Sequence, residues 1–302
     1  MTDKITRFLE SHTEEFSWSP SPIMAKYTSF HIGGRAKFLI YPHNTDALCL
    51  VVDLLEKNHM KYVVLGRMTN LLFTDHDYEG AVICTSKIKG IDQSDTHITA
   101  NCGVTLAELC RFARDSSLSG LEFACGIPGS VGGGVYMNAG AGGHELSDVL
   151  VSVTYYDIAE NSIRTVFTPD CQFSYRTSMF TKSQKKIILR AEFALKEGNM
   201  EAIRADMNAR VAKRAESQPL EYPNAGSIFK RKENCIVSKL IDETGLKGLR
   251  QGDAEVSEKH AGFIVNRGNA TAADVLTLIH KIKSIIREKH GITLEEEILF
   301  IE

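Results

Sequence analysis

Three side chains could carry acid–base or charge chemistry. Arg176 lies in Phe173-Ser-Tyr-Arg-Thr-Ser-Met-Phe180, flanked by apolar and hydroxyl residues. A partly buried guanidinium in that setting needs an anion, either a structural Asp or Glu or a substrate carboxylate. Ser227 lies in Tyr222-Pro-Asn-Ala-Gly-Ser-Ile-Phe-Lys230, where a polar loop turns into an apolar strand, with Gly226 freeing the backbone beside it. A serine there usually caps or bonds a turn, and with no G-x-S-x-G the nucleophile elbow of hydrolases is absent. Glu297 belongs to Leu294-Glu-Glu-Glu-Ile-Leu-Phe300. On a strand, Glu295 and Glu297 face one side and Glu296 the other. An acid on the buried side must be paired or functional, whereas a solvated acidic edge needs neither.

A fourth stretch carries almost no charge. Leu121 to Glu145 (LEFACGIPGSVGGGVYMNAGAGGHE) holds Gly126, Gly129, Gly132, Gly133, Gly134, Gly140, Gly142 and Gly143 of the 23 glycines. Glycine loses the most backbone entropy on folding, so such density serves something. One use is to let backbone N–H groups close around an anion such as a diphosphate. Pro128 stiffens the run, and Ser130 and Asn138 add hydrogen-bonding groups. No lysine follows for G-x-x-x-x-G-K-[ST], and Met137 stands where the third glycine of G-x-G-x-x-G belongs. Val131, Val135, Tyr136 and Met137 interleave as packed residues, unlike a flexible glycine linker.

The elements that must position these groups alternate in type. Apolar spacing predicts a helix within 4–16, strands at 37–41, 62–65, 71–73, 81–85 and 96–101, and a helix from Asn44 to Asn58. Thr105-Leu-Ala-Glu108 is a capping box opening a helix to Asp115. Strands at 149–156, 163–167 and 187–194 suit an antiparallel sheet. Asn199 to Glu216 reads as a polar helix with a solvated basic face. Helices at 236–243 and 271–290, a strand at 262–265 and a terminal strand at 292–301 complete the chain. The class is α+β, with the best single cut near 198.

Totals narrow the function. The 302 residues allow two domains, and 43% apolar with 24% charged residues describe an ordinary globular protein. A net charge of −3 gives no support to nucleic-acid binding. Seven cysteines without C-x-x-C read as reduced thiols of a cytoplasmic protein, and no metal site is expected. The acidic N-terminus is no signal peptide, and no run approaches the roughly 20 apolar residues of a membrane span.

Taken together and in order, these stretches resemble the UDP-N-acetylenolpyruvoylglucosamine reductases in their shorter form. The carrying motifs are Thr28-Ser-Phe-His-Ile-Gly-Gly34, Gly126-Ile-Pro-Gly-Ser-Val-Gly-Gly133 with Asn138-Ala-Gly140, Tyr175-Arg176 with Ser178 and Phe180, Asn224-Ala-Gly-Ser-Ile-Phe229, and Leu294 with Glu297. The resemblance implies an FAD-binding module of the p-cresol methylhydroxylase/vanillyl-alcohol oxidase type over 1–197, itself split near 86. A smaller α+β substrate-binding domain would fill 198–302, and strand 292–301 either stays there or returns to the first.

It further implies NADPH-dependent reduction of UDP-N-acetylglucosamine enolpyruvate to UDP-N-acetylmuramate through noncovalent FAD, in cytoplasmic peptidoglycan precursor synthesis, with no obligate protein partner. Arg176 would stabilise the developing charge, Ser227 would protonate the carbanion, and Glu297 would polarise the carboxylate. Gly66, Thr69, Asn70, Gly126, Pro128, Gly129, Ser130, Gly132, Gly133, Asn138 and Gly140 would hold the cofactor, and Tyr175, Asn224 and Lys230 the substrate. Lys230 is also expected to ease proton transfer from Ser227. Another flavin oxidoreductase of the same fold, or a non-catalytic FAD or UDP-sugar binder, are the competing readings. The chain departs from the family pattern at Met68 (usually glycine), after Ala141 (usually tyrosine) and at Ser217 (usually lysine).

Overall fold

A computed structural model describes residues 2–232 and 235–302. The chain divides into two compact units, one of residues 1–20, 38–67 and 80–212, the other of 21–37, 68–79 and 213–302. The division is discontinuous, so a single cut near 198 does not describe it. Residues 21–37 and 68–79 join the second unit because hydrogen bonds tie them there. The N–H of Ser29 donates to Met68 O, the N–H of Asn224 to Ser29 O, and Leu299–Ile301 pairs in parallel with Leu71–Phe73.

The first unit holds two sheets on one apolar core. Strands Phe16–Pro20, Ala36–Pro42, Tyr78–Cys84 and Lys61–Leu65 form the first, in that order. The second is antiparallel, ordered Ser162–Phe167, Leu150–Asp157, Lys186–Ala194, His97–Asn101 and Ile91–Ser94. Helix Thr45–Lys57 starts where Asn44 Oδ1 accepts from the Ala47 N–H at 2.8 Å, and it buries Leu48, Val51, Val52 and Leu55. Helix Leu106–Asp115 starts on the expected capping box: Thr105 Oγ1 accepts from Glu108 N–H at 3.0 Å, and Glu108 accepts from Thr105 N–H at 2.7 Å. The strands at 16–20 and 91–94 were not predicted: both are short, and the second is mostly polar.

The second unit packs helix Ala272–His290 against one face of a four-stranded sheet. The sheet order is Asn224–Ser227, Phe263–Asn266, Ala254–Val256, Arg250–Gln251. Ala225, Ile228, Val256 and Ile264 meet Val275, Leu278, Ile279 and Ile282 in a separate core. The helix has its own capping box at Thr271 and Asp274, and both Asp75 oxygens accept N–H bonds from Ala272 and Ala273. Gly291, at φ +67, ends it.

The expected terminal strand 292–301 is corrected. Only Leu299–Ile301 is strand. The preceding residues bond elsewhere: Lys230 N–H donates to Glu295 O at 2.9 Å and Glu297 N–H to Ile228 O at 2.7 Å. The segment changes partner from 228–230 to 71–73, with an isolated bridge at Glu296 and, among the described residues, no continuous ladder between. The alternation survives, with Leu294 and Ile298 buried and Glu295 exposed. Among the described residues no helix is long and apolar enough to cross a membrane.

Candidate functional site

Ser227 ends its strand opposite Phe263, after a bulge that begins at Asn224 and contains Gly226 at φ +80. Only glycine takes that conformation at no cost, which is why a glycine precedes the serine. The Asn224 side chain organises the bulge. Its Nδ2 donates to Tyr222 O at 2.8 Å and Pro219 O at 3.2 Å, and its Oδ1 accepts from Gly226 N–H at 2.9 Å. The hydroxyl of Ser227 has no hydrogen-bond partner among the described residues. Ser29 braces the strand from below, its Oγ donating to Asn224 O at 2.7 Å.

The main chain of Glu297 is joined to that of the Ser227 segment by the bond from its N–H to Ile228 O. Asn70, expected to line a cofactor, bonds the main chain of the Glu297 segment. Its Nδ2 donates to Glu297 O at 3.2 Å and its carbonyl accepts from Leu299 N–H at 3.0 Å. The Lys230 ammonium lies 3.5 Å from a carboxylate oxygen of Glu295, whose side chain is 76% exposed. Glu296 is taken by Lys283 at 2.6 Å. The ring of His260 meets Phe263 edge-on at 4.9 Å, and burial pushes its imidazole below the ordinary histidine value.

The glycine-rich stretch of the first unit contains a short helix, Val131–Tyr136, which the sequence did not predict. Helical glycines are costly, and packing explains them here. A Cβ on Gly132 would lie 2.9 Å from Cys102 Cβ, and one on Gly134 would lie 2.8 Å from Leu146. The expectation that these backbone N–H groups hold a diphosphate is therefore narrowed. Those of Gly129, Val131, Gly132 and Gly134 donate to main-chain carbonyls, and that of Gly133 points to Ser130 Oγ at 3.4 Å.

A close approach does link two predicted cofactor loops. A Cβ on Gly66 would sit 2.2 Å from Ser130 Oγ, so the loop after strand Lys61–Leu65 meets the start of the helix only because Gly66 has none. Gly126, Gly129 and Gly132 are partly exposed, and Pro128 and Gly133 exposed, along the same run. The run thus presents a ledge with few bulky side chains, on which a flat ring can lie. Thr69 and Asn70 fall in the second unit, and Met68 adopts φ +54 while 4% exposed.

Arg176 occupies the tip of a tight turn in the first unit. Ser174 and Thr177 exchange two main-chain hydrogen bonds of 3.0 Å around it. Its Nη1 donates to Asn138 O and its Nη2 to Gly140 O, each at 3.3 Å, and the guanidinium lies 4.9 Å from the Tyr175 ring centre. Ser178 anchors the loop, its Oγ donating to Tyr136 O at 2.7 Å. Asn138, expected as a cofactor ligand, is buried with its amide spent inside the chain on Glu145, Ser147 and Ser174. Ser217 bonds back to Lys213 O at the helix end and stays exposed.

The chain is a two-part α+β protein whose residues 36–166 match the family described as FAD binding domain, which makes it a flavin-binding protein. Residues 218–301 match the C-terminal domain of UDP-N-acetylenolpyruvoylglucosamine reductase. A curated protein of that name from Caldicellulosiruptor bescii is 44% identical over 92% of this chain and 88% of its own. UDP-N-acetylenolpyruvoylglucosamine reductase 2 of Bacillus thuringiensis subsp. konkukian is 40% identical over 99% and 97%. The solved reductase from Thermus caldophilus superposes with a TM-score of 0.80 at 32% identity, covering 95% of this chain and 99% of that one. The chain belongs to the UDP-N-acetylenolpyruvoylglucosamine reductase family.

Proposed function

We propose that this chain reduces UDP-N-acetylglucosamine enolpyruvate to UDP-N-acetylmuramate with NADPH, as an FAD-containing oxidoreductase of peptidoglycan precursor synthesis. The observation that carries the reading is the main-chain bond from Glu297 to Ile228, which joins the segments of Glu297 and Ser227 in a family member. The first unit is assigned to FAD and the second to substrate. Gly66, Gly126, Pro128, Gly129, Ser130, Gly132 and Gly133 are the residues assigned to hold the cofactor. Bound FAD supplies the relay of two electrons from NADPH to the substrate as hydride.

The chain's own side chains manage charge and proton. Reduction at the methylene carbon of the enolpyruvyl ether places negative charge on the neighbouring carbon and its carboxylate. Arg176 is assigned to that carboxylate, where charge-assisted bonds grow stronger as charge develops. The Ser227 hydroxyl delivers its proton to the neighbouring carbon and recovers one from water. A free serine is a weak acid, so positioning must lower the barrier. Glu297 is assigned to polarise the carboxylate, and Tyr175, Asn224 and Lys230 are assigned to substrate binding.

The test is an anaerobic visible spectrum of the FAD-loaded protein. The flavin band should bleach with NADPH and return on adding the enolpyruvyl substrate. A band that bleaches and stays bleached would mean another acceptor.

A further inference from the structure

The backbone of Arg176 stands at φ +54, a left-handed conformation that is unfavourable for a non-glycine residue. Its surroundings must impose it. Asn138 does so from the glycine-rich stretch. It is 1% exposed and itself left-handed at φ +44, which asparagine tolerates better than most residues. Its Nδ2 donates to Ser174 O at 3.3 Å, fixing the start of the Arg176 turn. The same nitrogen donates to Glu145 Oε2 at 2.7 Å, and Oδ1 accepts from Ser147 N–H at 3.1 Å.

These three bonds use both amide hydrogens and one acceptor site of a buried side chain. The backbone follows from that anchor. The carbonyls of Asn138 and Gly140 take one hydrogen bond from each terminal nitrogen of Arg176. Gly140 is fixed in turn by pairing with Glu145, and a Cβ there would lie 2.3 Å from His144 O. Glu145 is held by its N–H bond to Asp148 Oδ2 at 2.9 Å.

We infer that Asn138, oriented by Glu145, is a positioning residue for Arg176: it sets the turn that carries the arginine and the two carbonyls that aim its guanidinium. The inference rests on the reading of Arg176 as the cation that meets the substrate carboxylate. Asn138 moves no proton and touches no reacting atom in it.

The test is anaerobic stopped-flow on the FAD-loaded enzyme, following flavin reduction by NADPH and reoxidation by the enolpyruvyl substrate. Asn138→Ala should slow reoxidation about a hundredfold, the scale of a misplaced catalytic group. Reduction and FAD retention should stay within about threefold. Asn138→Ala/Arg176→Ala should be no slower than Arg176→Ala alone, because the two act through one group. Additive effects, equal loss in both half-reactions, or release of FAD would overturn the positioning role. Reoxidation untouched by Arg176→Ala would overturn the reading of Arg176 itself.

Asn138→Asp guards against a misfolded alanine variant. It keeps the shape and regains one donor on protonation, so its reoxidation rate should recover relative to the parent as pH falls. A constant ratio at all pH values would also count against the inference.

Discussion

The main-chain N–H of Glu297 donates a 2.7 Å hydrogen bond to the carbonyl of Ile228, one residue past Ser227. Two main-chain segments from distant parts of the sequence are thus joined. Backbone bonds do not depend on rotamers, so changing either side chain leaves this link in place.

That independence makes Ser227→Ala a clean experiment. Reduction by NADPH should be nearly unchanged, and reoxidation by substrate should fall by about 10²–10⁴, the range for loss of a general acid. Equal loss in both half-reactions, measured by stopped-flow absorbance, would remove Ser227 from the proton step.

Gly66 and Ser130 should be coupled. In Gly66→Ala the new methyl meets Ser130 Oγ, and overpacking of this kind costs roughly 1–3 kcal/mol. FAD retention, read from the ratio of visible to ultraviolet absorbance after gel filtration, should drop. The melting temperature should drop as well, and adding Ser130→Ala removes the oxygen and should restore part of that loss, despite losing the helix cap. No recovery would mean that the clash is not the cause.

Met68→Gly weighs two effects. Glycine relieves the φ of +54, worth roughly 1–2 kcal/mol. It also deletes a side chain only 4% exposed, and truncating a buried methionine costs roughly 2–5 kcal/mol. Packing should win, so the melting temperature should fall by several degrees. FAD affinity should hold or rise; its loss would show that Met68 packing shapes the cofactor site.

The capping box at Thr105 and Glu108 should show in acid. Burial works against the Glu108 carboxylate, but the Lys89 ammonium and the Thr105 groups outweigh it and bring it from 4.5 to about 2. A depressed acid adds stability that is full above its unfolded value and is lost as pH falls through the folded one. Between about pH 4.5 and 2, Glu108→Gln should therefore flatten the fall of melting temperature. An unchanged slope would assign acid lability to other carboxylates.

Local chemistry was legible where local rules govern. Asn44, Thr105 and Thr271 announced helices because capping is decided within four residues. The three-stranded run from Leu150 to Ala194 was legible because alternation repeats along each strand. The Val131–Tyr136 helix was not, since its glycines serve contacts with Cys102 and Leu146 that lie elsewhere in sequence. Asn70 and Asn138 look like loop asparagines in sequence; only their partners show that each holds another site residue.

By itself the sequence determined the α+β class, the candidate groups Arg176, Ser227 and Glu297, and a family resemblance that the comparisons support. Each depends on residue type and spacing, which a chain displays without folding. Tertiary structure decided which residues stand together: residues 21–37 and 68–79 with the C-terminal unit, Glu297 with Ile228, Arg176 with Asn138. Those pairings depend on where unsatisfied backbone groups and buried amides find partners across long sequence separations. That accounting closes only in the folded molecule.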